Sequence, residues 1–404
     1  MKPISSNRFL RHISPVRFLM LCLPFSGSCT GEPAPAPRPE LPTRTVLVYL
    51  AGDNNLGNIG LTPELLRQGW RYTDNKCLIY YDAPEAAPKL YALTCDRPGS
   101  IPALETVAEY GEENSASPEV FGRVLADVIR EYPSDSYGLI FSSHGSGWLP
   151  CGTLSGPTRS IGDDRNPGTT GGATEMEIVD FAAAIPDRQF DFIVFEACLM
   201  SGVEVAYELR NKTDYILASS AELLVPGYAP VYPAASHYLF DTGVEVSEAL
   251  SKFAGCYFEH MNALNGPYRS ATQSVVCTRK MDALAALAGE VSEAPEISAD
   301  EVRPETLQHF DRPGSYGDTP AEPRYFDFGE YLTRLAPERQ AETNALLGSI
   351  VVWKAATPEF MTGYNGFTIR THSGLTTYIE QEAFPGLNAA YEKTAWWKAT
   401  HRQP

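Results

Sequence analysis

Positive charge is scarce in this chain: 32 Lys and Arg stand against 50 Asp and Glu, a formal net charge of −18. Such a surface repels polyanions, which argues against nucleic acid as a partner, and it attracts basic peptides. Histidine is sparse too, with seven copies scattered along the sequence, and no CxxC or other zinc-ligand spacing occurs among the cysteines. No metal residues are assigned. The apolar stretch from Phe18 to Phe25 is too short to span a bilayer. No internal repeat is visible. What the chain does have is a 43% apolar composition over 404 residues, enough for one large core or two moderate ones.

Lys2, Arg8, Arg11 and Arg17 precede the short apolar stretch without an acid, and Ser26-Gly27-Ser28-Cys29 follows it, the pattern of an export signal over residues 1–28. The small residues before Cys29 resemble a bacterial lipoprotein cleavage site. Cys29 is then the expected lipidated first residue of an exported cell-envelope protein, with a membrane as partner through the lipid; simple secretion after a nearby cut is the alternative. Residues 29–43 include five prolines and form an extended tether of about 40 Å. Loss of residues 1–28 leaves 28 Lys and Arg against 50 Asp and Glu, a mature net charge of −22.

Beyond the tether, apolar strand-like runs alternate with helical patterns, which implies an α/β fold with a mainly parallel sheet. Thr45 to Leu50 is a continuous apolar run typical of a strand buried on both faces, and Pro63 to Trp70 reads as a helix. Cys77 to Tyr81 and Leu90 to Thr94 read as a hairpin centred on Ala86. Cys77 and Cys95 are equidistant from that centre, and are either a disulfide or two free thiols. Ser117-Pro118-Glu119 has the signals of a helix start, and Thr174 and Glu177 have capping-box spacing before a helix from Ile178. We expect a catalytic domain over residues 44–240 and, over 241–404, a mostly helical C-terminal region packed on it, with short strands at Gln273 to Cys277 and Thr376 to Ile379.

Two apolar runs each end in one reactive side chain. Leu139 to Ser143 leads into His144-Gly145, and Phe192 to Phe195 leads into Glu196-Ala197-Cys198. In open α/β sheets, function gathers beyond the carboxyl ends of parallel strands, so neighbouring strands would hold an imidazole and a thiol within reach of each other. A thiol attacks only as thiolate, which the start of the following helix would favour. His144 is then the general base or ion-pair partner, and the Gly145 and Cys198 N–H groups are the candidate oxyanion hole.

With these motifs the sequence resembles the clostripain family of cysteine peptidases, in the clan of caspases, legumains and gingipains. The matching blocks are Thr45 to Leu56, His144-Gly145, Glu196 to Met200, Ala218 to Glu222 and Gly227 to Pro230, with weaker likenesses at Phe326 to Phe328 and Ser373 to Tyr378. The resemblance implies a caspase-like αβα sandwich, a His144–Cys198 dyad, and protein or peptide substrates cleaved after Arg or Lys. It also implies an acid two places before the cysteine in the specificity pocket, which here is Glu196; Glu222 is a second candidate acid. Many relatives cut themselves between the histidine and the cysteine, and Arg159 is the expected site. Some relatives require calcium, and Asp163-Asp164 with Asp53, Asn54 and Asn55 offer oxygen atoms, although no EF-hand spacing is present; no cofactor is assigned. A monomer is expected. The competing readings are a non-catalytic surface lipoprotein binding peptides or glycans, and an acyltransferase using the same thioester.

Overall fold

Apolar runs too continuous for a surface strand build the middle of one nine-stranded sheet. In the computed structural model, residues 42–401 are described except 58–59, 85, 155–160, 165–174 and 316–320. The export signal, Cys29, nearly all of the tether, Arg159 and Thr174 lie outside the described residues. The strands are β1 (Arg44–Ala51), β2 (Lys76–Ala83), β3 (Ala86–Thr94), β4 (Ala103–Glu109), β5 (Ser136–Ser142), β6 (Phe190–Glu196), β7 (Thr213–Ala218), β8 (Thr272–Cys277), β9 (Phe326–Asp327) and β10 (Val351–Ala356). The large sheet runs β10-β8-β7-β6-β5-β1-β2-β3-β4, and β9 pairs separately with Thr376–Thr377. Its five central strands, β2-β1-β5-β6-β7, are parallel, and the flanking strands are antiparallel.

Strand alternation divides the central side chains between two cores. Leu47, Tyr49, Leu139, Phe141, Ile193 and Phe195 face one; Val46, Val48, Leu50, Ile140, Phe192 and Val194 face the other. Helices α1 (Pro63–Gly69), α5 (Tyr232–Ala235) and α6 (Val246–Asn262) cover the second core. The first is covered by α2 (Pro118–Glu131), α3 (Ile178–Ala184), α4 (Val203–Glu208), α7 (Met281–Glu293) and α8 (Phe328–Leu335). The result is an αβα sandwich. Helix α2 shows how locally the elements are specified: Ser117 Oγ accepts the Val120 N–H at 3.3 Å, Pro118 opens the helix, and Val120, Phe121, Val124, Leu125 and Val128 are buried at helical spacing.

Several expectations are corrected. The part beyond residue 240 is not only a helical region resting on the sheet: β8 and β10 extend the sheet itself, and Leu41–Pro404 forms one compact unit. Strand β10 escaped the sequence pattern because only Val351 of its six residues is buried, and β4 escaped because none of its residues is. The hairpin is centred before Ala86, so Cys77 faces Leu93, and both Cys77 and Cys95 are free thiols; Cys95 Sγ lies 3.2 Å from Ser100 Oγ. Glu177 is not the third residue of a capping box but the N-cap position of α3, and its carboxylate accepts the Cys151 N–H at 2.8 Å.

One cross-strand row tests the packing of the sheet. Gly138 lies between Val46 and Phe192, and a Cβ at residue 138 would stand 2.2 Å from the Phe192 ring. Gly138→Ala is expected to lower stability by about 1–3 kcal/mol through this overpacking. Denaturant unfolding measures it, and an unchanged midpoint would show that the ring has room to move.

Candidate active site

The central strands β5 and β6 end side by side, with Ser142 opposite Glu196. His144 and Cys198 each follow two residues later, and both line one cavity of ≈ 210 Å³. The two loops are fastened together: Ser143 N–H donates to the Glu196 carbonyl at 3.3 Å. Gly145 packs directly on the Cys198 loop, where a Cβ would stand 2.9 Å from the Cys198 carbonyl oxygen. The space over Gly145 is thus filled by protein backbone, which gives the residue a packing reason to be glycine in addition to any approach of a substrate carbonyl.

His144 is buried, and its Nε2 lies 2.8 Å from Oδ1 of the exposed Asn55. With the amide oxygen as acceptor, Nε2 is the donor, and the contact orients the ring. The sequence did not reveal this contact of Asn55 with the imidazole, since Asn in a polar turn is an ordinary turn former. The neighbouring Asn54 is structural: its Nδ2 donates to the Ala51 and Asp163 carbonyls at 2.8 and 2.7 Å. Asp163 and Asp164 are fully buried, with the Asp163 N–H on Ser143 Oγ and the Asp164 carboxylate on the Ser115 N–H. Among the described residues no three His, Cys, Asp or Glu come together as a metal site.

Cys198 is half-buried, and Leu199 after it adopts a φ of 62°, a left-handed conformation that costs a leucine about 1–3 kcal/mol and turns the chain sharply past the sulfur. The helix that follows Cys198 runs from Val203, with Gly202 at its N-cap, and does not supply the N–H at the sulfur. The N–H that donates to Cys198 Sγ, at 3.3 Å, belongs instead to Leu223 in the loop after β7. Burial, and then the Glu222 carboxylate, push the thiol up to about 12, against the opposing influence of the Leu223 N–H and Arg312.

The two candidate acids differ. Glu196 lines the cavity, is 6% exposed, and accepts the Tyr228 N–H on Oε1 at 2.7 Å, while Oε2 has no hydrogen-bond partner among the described residues. Burial pushes this carboxyl up to about 7. Gly227 makes the contact with Tyr228 possible, because a Cβ there would stand 2.4 Å from Oε1. Glu222 also lines the cavity, but its carboxylate is held in a two-pronged ion pair by Arg312, with Nη2 at 2.6 Å and Nε at 3.1 and 3.2 Å. The Glu222 carboxylate, which the sequence offered as a second candidate acid with a cap or surface role as the alternative, is thus already paired with a cation.

The sequence model of the clostripain family (peptidase C11) matches residues 48–310. The chain belongs to the clostripain family. Clostripain of Hathewaya histolytica is 28% identical over 214 residues, a match that covers 46% of this chain and 40% of that protein. An inactive zymogen C11 protease from Parabacteroides distasonis is 30% identical, with a TM-score of 0.73 over 90% of this chain and 100% of that one. A secreted C11 cysteine protease from Bacteroides thetaiotaomicron, solved with an irreversible peptide inhibitor, is 28% identical, with a TM-score of 0.70 over 88% of this chain and 98% of that one. The caspase-like sandwich expected for a clostripain-family chain is thus the fold observed.

Asn55→Ala removes the hydrogen bond that orients the His144 ring at little structural cost, because Asn55 is exposed. The expected result is alkylation of Cys198 by iodoacetamide slowed by up to about tenfold near neutral pH with an unchanged melting temperature, the worth of one hydrogen bond. Equal rates in parent and variant would remove Asn55 from the site.

Proposed function

We propose that this clostripain-family chain is a cysteine endopeptidase that cleaves peptide bonds after Arg or Lys through Cys198 and His144. The observation that carries the reading is a single cavity lined by the thiol, the imidazole and the buried carboxylate of Glu196. The Cys198 thiolate attacks the substrate carbonyl carbon, and the N–H groups of Gly145 and Cys198 are the oxyanion donors in this reading. The C–N bond then breaks, and His144 delivers a proton to the leaving amine. A water molecule, giving its proton to His144, hydrolyses the thioester and regenerates the thiol. The inhibitor-bound Bacteroides relative supports peptides as ligands of the fold.

Glu196 supports the basic preference. Its Oε2 is buried, lacks a partner among the described residues and belongs to the cavity wall, so a guanidinium or ammonium would satisfy an acceptor that the fold leaves open. The apolar wall of Leu50, Leu56, Leu61, Leu224 and Val225 suits the methylene stem of such a side chain. A thiol pushed up to about 12 suits a resting precursor, and the Parabacteroides zymogen supports an inactive precursor state; the activating cut between His144 and Cys198, at Arg159, is our assignment. Export is supported by the secreted Bacteroides relative, with Cys29 as the proposed lipid anchor. Among the described residues no helix is long and apolar enough to cross a membrane.

Mass spectrometry after incubation with Arg- and Lys-containing peptides tests the reading. The parent is expected to cleave after basic residues and Cys198→Ala to leave the peptides intact; cleavage by both proteins, or by the parent only after neutral residues, would overturn it. A second prediction follows from the raised Glu196 carboxyl. Binding of a cation requires the carboxylate, so below about pH 7 binding must expel a proton. The affinity of Cys198→Ala for an arginine peptide should then fall by about tenfold per pH unit as the solution becomes more acid. Glu196→Gln should bind weakly with no such slope. A flat profile in the Cys198→Ala protein would take Glu196 out of the specificity pocket.

A further inference from the structure

Arg312 comes from the C-terminal part of the chain, yet it is the cation nearest to the nucleophile's acidic neighbour. Its guanidinium is 10% exposed, grips both oxygens of Glu222, and donates through Nη1 to the Tyr364 carbonyl at 2.7 Å. Glu222 directly precedes Leu223, whose N–H donates to Cys198 Sγ. The segment is braced from beneath by a small separate core of Ala221, Phe310 and Phe360. It is tied further by Ala221 N–H to Thr272 Oγ1 at 2.9 Å and by Leu199 N–H to the Ala221 carbonyl at 3.0 Å. The same few residues thus connect Arg312, the acid, the sulfur's hydrogen-bond donor and the strained turn after the nucleophile.

We propose that Arg312 is a positioning residue for the nucleophile: it cancels the Glu222 charge that faces Cys198 and holds the loop whose Leu223 N–H donates to the sulfur. This deepens the peptidase reading and rests on it only for the use made of the thiolate. The ionisable groups facing Cys198 are His144 after β5, Glu196 at the end of β6, Glu222 with Arg312 behind it, and the buried Tyr257 phenol of α6. Of these, Glu222 and Arg312 form a close ion pair, and they act on the sulfur in opposite senses. A bare carboxylate beside Cys198 opposes thiolate formation; a paired one does so far less. The grip on both carboxylate oxygens also suits arginine and not lysine. Burial of both partners together with the Tyr364 contact makes the pair part of the folded site. An arginine plugging the cavity as a substitute for substrate would have to be released from all three.

The test is the pH dependence of Cys198 alkylation by iodoacetamide, read by mass on the Cys198 peptide of the purified full-length protein. It needs no peptide hydrolysis, so a protein that alkylates as expected but cleaves nothing would refute the peptidase reading and leave this one standing. Arg312→Gln should move the alkylation midpoint upward by about one pH unit, a tenfold slower reaction at a fixed pH below the midpoint. Arg312→Lys should fall in between. Adding Glu222→Gln to Arg312→Gln should restore the parent midpoint, because the charge to be cancelled has gone. Glu222→Gln alone should lower or keep the midpoint, and it supplies the test if the Arg312 variants do not fold. An Arg312→Gln protein that alkylates faster than the parent would mark the arginine as an autoinhibitory plug. A double variant as slow as the single one would reduce Arg312 to structural support. Either result overturns the proposal, as would a raised midpoint for Glu222→Gln alone.

Discussion

Everything at this site depends on the register between β5 and β6. Because Ser142 and Glu196 stand opposite each other at the ends of two hydrogen-bonded parallel strands, the residues two places further along emerge together above the sheet edge. A shift of one residue would turn every side chain of a strand to the other face. The alternating packing of Leu139, Phe141, Ile193 and Phe195 on one side, and Ile140, Phe192 and Val194 on the other, blocks that shift. The position of the imidazole relative to the thiol is therefore set by core packing several residues below them. The Ser143 N–H to Glu196 carbonyl bond continues the ladder one step past the strands and carries the register up to the reactive residues.

Above the sheet edge, buried carboxylates organise the electrostatics, and each is treated differently. Glu196 keeps one oxygen on a backbone N–H and the other without a hydrogen-bond partner among the described residues, so burial leaves it prone to protonation. Glu222 is satisfied by a guanidinium from a segment far away in sequence. One acid keeps an oxygen without a hydrogen-bond partner among the described residues, and the other already has a cation. A strongly acidic chain must manage such charges individually near a thiol, since an unpaired carboxylate there works against the anion that chemistry needs.

The sequence made the fold and the shared placement of His144 and Cys198 legible for a plain reason: continuous apolar runs mark strands buried on both faces, and the residues beyond their carboxyl ends gather where topology puts them. His144, Cys198 and Glu196 sit directly after such runs. Asn55, Leu223 and Arg312 do not. Asn55 reaches His144 through a turn across 89 positions, Leu223 acts through its backbone, and Arg312 meets Glu222 across 90 positions. No local pattern encodes those contacts. The flanking strands were hidden for the opposite reason, because β4 and β10 lie towards the sheet's rims with exposed side chains and lack the apolar signature. Chain-order symmetry likewise failed for Cys77 and Cys95, since the hairpin pairs Cys77 with Leu93.

The segment 161–164 connects the insertion between His144 and Cys198 to the site. Ile161 pairs with Met176, Gly162 N–H donates to the His144 carbonyl at 3.0 Å, and Asp163 is held by Asn54 and Ser143. All four residues are buried, so this part of the insertion is not a solvated loop. Its bonds fall on the residue before the imidazole, on the histidine backbone itself and on the residue before Asn55, the residue that orients the imidazole. The insertion thus holds the histidine loop through Ser143, His144 and a bridge from Ile161 to Gly145. Any change that moved residues 161–164 would act on the imidazole first, and on the thiol only through the Ser143 to Glu196 bond and the packing of Gly145 on the Cys198 carbonyl. Thiol and imidazole therefore answer to separate distant parts of the chain, Cys198 to Arg312 through Glu222 and Leu223, and His144 to the insertion.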